Sequence, residues 1–425
     1  MLRYVLITAL LFASPAWAAE KTLKITVMAG KVARENSPVS VGIKLPEDWQ
    51  DSQVFVKAAD GTNLPGQLAS PGLLAETDAA NSGELHFIVP KLAAGEQAVF
   101  TATIRPPTDN SKSVPSFAWV NTSTPKANDS NAAEQSTELR FENRPVLRYM
   151  HTALDESTKE ARSATFKPFH HLYDPAGKRF VTKGAGGLFP HHRGLFFGFN
   201  KISYGPEGKQ QADVWHCNNG EYQEHAEILS SDAGPVLGRQ QVKINWRGRD
   251  QQIFAVERRE LTAYNTAGGV LIEFASVLQN PSDDVVMLAG DPQHAGFQFR
   301  GAQDIPDKTK DQTYYLRPDG QGEPGKFRNW PDNKDHVNLA WNALSFVLDD
   351  QRYTCCYLDR PENPKESRFS ERDYGRFGSY FEYQLTRDKP LRLNYRVWLQ
   401  AGEMTVDQVQ RLDDDFVQPV LAKAE

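Results

Sequence analysis

The sequence predicts an all-β protein, a small immunoglobulin-like β-sandwich followed by a large antiparallel β-supersandwich. Three observations carry this expectation. Short segments with period-two patterning, bounded by Gly, Pro, Asn and Asp, recur along most of the 425 residues. Helical periodicity is nearly absent before Thr405. Aromatic residues, which suit a pleated and half-buried surface, are plentiful at 23 Phe, 14 Tyr and 8 Trp.

A chain of this length divides into two or three domains. Charged residues make up 24% and hydrophobic residues 40%, an ordinary globular profile. The net charge of -6 carries no basic footprint, which sets nucleic acid aside as a partner.

Residues 1–18 read as a signal peptide. Arg3 gives a positive start, Tyr4 to Ala13 is apolar, and Ala16-Trp17-Ala18 is a small-x-small cleavage site. The run is too short to span a bilayer, and no other stretch approaches the roughly 20 apolar residues required. The expected location is periplasmic or secreted, with no membrane span. Residues 19–105 form the small sandwich: Thr22–Val27, Val39–Leu45, Val54–Ala58, Glu84–Val89 and Gln97–Ile104 are its strands, with turns at Asp60-Gly61 and Ala93-Ala94-Gly95. Residues 106–137 read as a polar linker rich in Pro, Ser, Thr, Asn and Asp.

From 138 to 425 strand-like segments follow one another, including Gly194–Ile202, Ile253–Tyr264, Val270–Gln279, Gly296–Arg300 and Leu391–Leu399. So many strands exceed a simple sandwich and call for two large stacked sheets, the galactose-mutarotase or polysaccharide-lyase type of architecture. No 40–50-residue repeat supports a propeller. Residues 304–311 and 318–336 look like rim loops. Thr405 is placed to cap one short terminal helix.

Only three cysteines occur, Cys217, Cys355 and Cys356, so at least one is unpaired within the chain. The pairing of the other two stays open, and a buried, inert Cys217 is the expected state.

Candidate chemistry concentrates in a few stretches. Three glycines and a proline lead into His191-His192-Arg193-Gly194, and adjacent histidines can converge only on a loop or bulge. Eight of the ten histidines fall between residues 151 and 294, which points to a shared site. The segment 213–225 holds Asp213, Trp215, His216, Glu221, Glu224 and His225, a set that could supply a general acid and base. His191, His192, His216 and His225 with Glu221 or Glu224 would also suit zinc or another divalent ion, but neither H-E-x-x-H nor a paired C-x-x-C is present, and the cofactor stays unassigned. Along 294–300, alternation puts Phe297 and Phe299 toward a core and His294, Gln298 and Arg300 on the other face. Arg376 lies in an arginine-rich turn able to clamp a carboxylate.

The run Phe166-Lys167-Pro168-Phe169-His170-His171-Leu172-Tyr173-Asp174, followed by Phe189-Pro190-His191-His192-Arg193-Gly194-Leu195, resembles a bacterial family of unknown function often labelled PmoA-like or "methane oxygenase". The likeness extends over roughly 138–400 and takes in Glu257-Arg258-Arg259, Arg300 and Gly375-Arg376-Phe377-Gly378. The family commonly reads H-P-L-Y after the first block, where this chain has His170-His171-Leu172-Tyr173, so no role is carried to His170. A membrane oxygenase needs several spanning helices, and the sequence has no such stretch. Similar family members tend to occur in polysaccharide-degrading bacteria, so the resemblance implies a carbohydrate role.

Together these readings predict an exported carbohydrate-active enzyme of lyase, hydrolase or epimerase type. His191, His192, His216, Glu221 and Glu224 would be catalytic. Arg193, Trp215, His225, His294, Gln298, Arg300 and Arg376 would bind substrate. The alternative is a non-catalytic glycan-binding protein that relies on aromatics such as Trp215 and Trp330.

Overall fold

The computed structural model describes residues 20–44, 49, 52–75, 82–106, 114–126, 129–291 and 293–425. The leader expected at 1–18 lies outside the described residues. Among the described residues the fold is all-β, with antiparallel sheets of seven, eight, nine and four strands.

The seven-stranded sheet forms the small N-terminal unit. Alternation sends Ile25 and Val27, Val39 and Val41, and Val54 and Val56 inward, where they meet Phe87 and Phe100 in one core. Its outermost strand is Leu421–Ala424, from the far end of the chain, paired antiparallel with Lys21–Met28. The unit is tied to the large sheets by polar contacts. Gln67 Oε1 accepts from the Val236 and Leu237 amides at 3.0 and 2.9 Å, and Arg239 donates to Glu84 at 2.9 Å.

The expected linker needs a correction. Residues 117–126 pair with Asp129–Phe141 as a hairpin at the edge of the eight-stranded sheet. Its Ser and Thr content looks like linker composition, but an edge hairpin is also permitted polar residues. Thr122 and Ser136 share a hydroxyl hydrogen bond of 2.6 Å across it.

The eight- and nine-stranded sheets stack around one large core, as a supersandwich requires. In the first sheet Arg368–Arg372, Arg376–Tyr380, Ala295–Arg300, Gly194–Phe199 and Phe169–Leu172 lie side by side. Leu195, Phe197, Phe297, Phe299 and Phe377 point into the core. The register pairs Phe196 with Gln298 and Arg300 with Arg376 on the opposite face. That face is buried too, beneath the loops that carry the candidate site.

The central strands of the nine-stranded sheet are also buried on both sides, and Trp341–Leu348 has no exposed residue. The helix Val406–Val417 covers its outer face with Val409 and Phe416. Thr405 caps it in a full capping box with Gln408. Asp415 on this helix accepts from Arg34 and Ser37 of the N-terminal unit and from Arg396 of the large sheet. A second helix, Lys159–Thr165, is too short to show periodicity in the sequence. All three cysteines are free and buried.

Asp413 offers a stability test. It is buried on the same helix, with Oδ1 unpartnered. Burial, then the Asp414 carboxylate, push its pKa up to about 7 from 3.8. The folded state therefore binds its proton more tightly than the unfolded chain, and stability falls as pH rises from about 4 to 7. Asp413→Asn is expected to raise the melting temperature at pH 8 by a few degrees and to lose that advantage by pH 5. Equal melting shifts at both pH values would contradict the assignment.

Candidate functional site

The site is built on the buried polar face of the eight-stranded sheet. Two glycines shape its edges. Gly194 has φ +54°, and a Cβ there would lie 2.1 Å from the His170 carbonyl oxygen. Gly296 has φ +84°, and a Cβ there would lie 2.0 Å from the Ser379 oxygen. Only glycine tolerates both the left-handed backbone and the close approach. Gly194 ends the turn that carries His191 and His192, and Gly296 follows the turn that carries His294.

Four imidazoles meet above the sheet. The His191 ring centroid is 4.2 Å from His192 and 4.5 Å from His216, and His216 is 4.8 Å from His294. The adjacent pair converges because both residues sit on a turn closed by the His192 amide donating to the Phe189 carbonyl at 2.9 Å.

His216 and His294 are held in the same way. Asp213 Oδ1 accepts from the amides of Trp215 and His216, at 3.1 and 2.9 Å, while its Oδ2 lies 2.8 Å from His216 Nδ1. Asp291 Oδ1 accepts from the Gln293 amide at 3.1 Å and lies 2.6 Å from His294 Nδ1, and its Oδ2 accepts from Asn200 at 2.7 Å. Each aspartate first folds its own turn and then fixes a ring. Burial alone would raise the Asp291 pKa; hydrogen bonds from His294 and Asn200 outweigh that and hold the carboxyl well below its usual range. In a neutral ring that gives Nδ1–H to its carboxylate, His216 or His294 keeps the Nε2 lone pair free.

His192 is set up differently. Trp215 Nε1 donates to its Nε2 at 3.2 Å. An indole N–H can only donate, so neutral His192 carries its proton on Nδ1, and that buried atom has no partner. Burial, then Arg376 and His191, push its pKa well below normal. His191 is pushed down to about 2 by burial, then by Lys167, His216 and His294. Lys167 lies under the cluster, donating to the Trp215 carbonyl, and burial lowers it to about 7.

Beneath the imidazoles, Arg376 donates to Gln298 Oε1 and Ser370 Oγ, both at 2.9 Å. Arg300 spends Nη1 on the carbonyls of Gly301 and Tyr374. Its Nε and Nη2 are buried without partners. The Tyr374 ring joins the two halves: it stacks on His192 at 6.0 Å, and the Arg300 guanidinium lies 4.8 Å from its centroid. Phe189 packs on Tyr374 at 5.0 Å and is 40% exposed at the rim.

The structure thus brings together His191, His192, His216, His294, Gln298, Arg300 and Arg376, and it moves the other predicted residues elsewhere. Glu221 is buried against Arg249 and Asn219, and Glu224 pairs with Arg247 and Asn245; neither has a contact with the imidazoles. Arg193 turns inward, donating to the carbonyls of Ser163, Ala164 and Pro190, so it braces the short helix instead of facing a ligand. Trp215 is fully buried and orients His192, which removes it as a stacking platform. His225 joins a second group, 3.1 Å from the Tyr149 hydroxyl and 4.6 Å from His151. Sequence reasoning passed over Asp291, Tyr374 and Lys167 and gave Asp213 no specific task. The repeated D-x-x-H spacing at 213–216 and 291–294 was the available signal.

One nitrogen from each of His191, His216 and His294 lies within 4.8 Å of the others, a set able to hold a metal ion. Among the described residues, no helix is long and apolar enough to cross a membrane.

Residues 136–413 match a family of unknown function, DUF6807, and the chain belongs to that family. The match gives the expected span closely and carries no oxygenase-derived label. No curated protein matches the chain. Among solved structures it is similar to an alpha-mannosidase from Enterococcus faecalis V583, at TM-score 0.45 and 9% identity over 95% of this chain and 46% of that one. It is also similar to a protein of glycosyl hydrolase family 38 from Enterococcus faecalis, at TM-score 0.40 and 11% identity over 95% and 47%. The chain spans less than half the length of either.

The Trp215–His192 contact predicts a tautomer. Histidine 15N shifts should show His192 neutral with its proton on Nδ1 from pH 8 down to pH 5. Trp215→Phe should introduce the Nε2–H form and raise the His192 pKa. An Nε2–H tautomer in the native protein would overturn this geometry.

Proposed function

We propose that the protein is an exported enzyme acting on an acidic, hydroxyl-rich substrate of the carbohydrate class, by removal of a proton next to the substrate carboxylate. The observation that carries this reading is Arg300, fully buried beside the imidazole cluster with Nε and Nη2 unpartnered. A buried guanidinium with free donors is costly unless it meets an acceptor, and two adjacent N–H groups match a carboxylate. Burial, before any other cause, lowers the Arg300 pKa to about 10, which leaves it charged at neutral pH.

A carboxylate clamped at Arg300 makes the neighbouring C–H more acidic, because the guanidinium stabilises the charge that develops as the proton leaves. The imidazole cluster supplies the acid–base end of the site, with His192 Nδ1–H as a donor to a substrate oxygen. The rim ring of Phe189 suits the apolar C–H face of a sugar. Lyase or epimerase chemistry fits better than hydrolysis by paired carboxylates, because Asp213 and Asp291 are each committed to an imidazole. The leader-like composition of residues 1–18 supports export.

Binding of uronate-containing oligosaccharides, measured by calorimetry beside neutral counterparts, tests this reading. The acidic sugars are expected to bind and the neutral ones to bind at least tenfold more weakly. Arg300→Gln should cost about 2 kcal/mol, roughly thirtyfold in affinity. Equal affinity for acidic and neutral sugars, or an Arg300→Gln protein that binds as well as the native one, would refute it.

A further inference from the structure

We infer that His191, His216 and His294 form a three-histidine centre for a late first-row divalent cation, zinc being the first candidate, with one coordination position left for water or substrate. This deepens the proposed reading of the same site.

The argument begins with lone pairs. A neutral imidazole has one N–H and one lone pair. Asp213 and Asp291 take Nδ1–H of His216 and His294, so both Nε2 lone pairs remain. His191 Nε2 is buried and has no partner. One ring nitrogen of each of the three histidines lies within 4.8 Å of the others. Electron pairs that converge without a hydrogen between them repel, and a shared cation removes that repulsion. Three histidines with an open fourth position are a recognised zinc arrangement, and imidazole also suits copper, iron and nickel.

The surroundings fit the same conclusion. Metal-bound histidines characteristically give their second ring N–H to a carboxylate, which sets the tautomer and ring angle. Two of the three do so here, each through an aspartate three residues upstream that is itself held by backbone amides. These carboxylates place two negative charges directly behind the ligands and offset the guanidiniums of the floor. Tetrahedral bonds of about 2.0–2.1 Å need ligand nitrogens about 3.3 Å apart. The side chains of His216 and His294 are 22% and 28% exposed, so small ring rotations can close the gap. With a cation in place these imidazoles would be its ligands, the cation would supply an acidified water at the open position, and His192 Nδ1–H would remain as a donor to substrate.

The test uses the full-length mature protein, stripped with chelator and titrated with Zn2+ and, as a spectroscopic reporter, Co2+. One equivalent per chain is expected, with visible Co2+ bands of four-coordinate type. His294→Ala should abolish stoichiometric uptake. Asp213→Asn, which keeps all three ligands and should keep the native circular dichroism spectrum, should weaken Zn2+ roughly 10–100-fold. Failure of the native protein to take up either ion, or undiminished affinity in a folded His294→Ala or Asp213→Asn variant, would overturn the centre. Uronate binding is followed on the same samples. A protein that binds uronates but no metal removes the metal centre alone. A protein that loads Zn2+ normally yet ignores uronates supports the centre and removes the substrate reading.

Discussion

The structure depends on one sheet that is buried on both faces with opposite chemistry. Toward the nine-stranded sheet it presents Leu195, Phe197, Phe297, Phe299 and Phe377, which close the main core. On the other side it presents Gln298, Arg300 and Arg376, each no more than 1% exposed. Ordinary antiparallel sheets leave their polar face to water. Here loops cover it, and every buried donor then needs a partner. Arg376 finds two within the sheet, and Arg300 finds only part of its complement. The unmet donors sit where the four imidazoles meet, so the constraint that shapes the fold also marks the site.

The covering loops are ordered by short-range polar contacts. Asp213 and Asp291 each fold a tight turn by accepting backbone amides and then orient a histidine three residues later. The two turns arrive from different parts of the chain, yet they deliver rings with the same free nitrogen into one space. Trp215 acts in the opposite sense on His192, occupying its Nε2 and leaving its buried Nδ1–H without a partner. One cluster therefore holds both lone pairs and a donor, which is what separates metal or base chemistry from hydrogen bonding to substrate.

How much of this could be read from the sequence follows from the same physics. The all-β class, the stacked large sheets and the helix capped by Thr405 were legible, because period two and a capping residue are local signals. So was the split of Phe297 and Phe299 from Gln298 and Arg300. Other features were not legible. Residues 117–126 looked like linker because an edge hairpin tolerates the same polar composition. Glu221 and Glu224 looked catalytic by proximity in sequence, but the chain reverses between His216 and Tyr222 and carries them to Arg249 and Arg247. Asp291 escaped notice because an aspartate in a turn is commonplace until its histidine is seen to share a space with another.

The histidine count shows the limit most plainly. Clustering between residues 151 and 294 pointed to a single site, and the structure divides it. His170 and His171 are neighbours on a strand, and successive side chains on a strand must part. His170 goes to the core side and stacks on Tyr149 at 4.6 Å, near His151 and His225. His171 goes to the other side, against Phe180 and Thr182. His191 and His192 escape that rule only because they precede the strand on a turn. The difference between the two pairs is backbone conformation: a strand for the first, and for the second a turn closed by the His192 amide on the Phe189 carbonyl. A side chain at position 194 would meet the His170 carbonyl oxygen at 2.1 Å in a left-handed backbone, so the junction between the histidine turn and the strand depends on glycine.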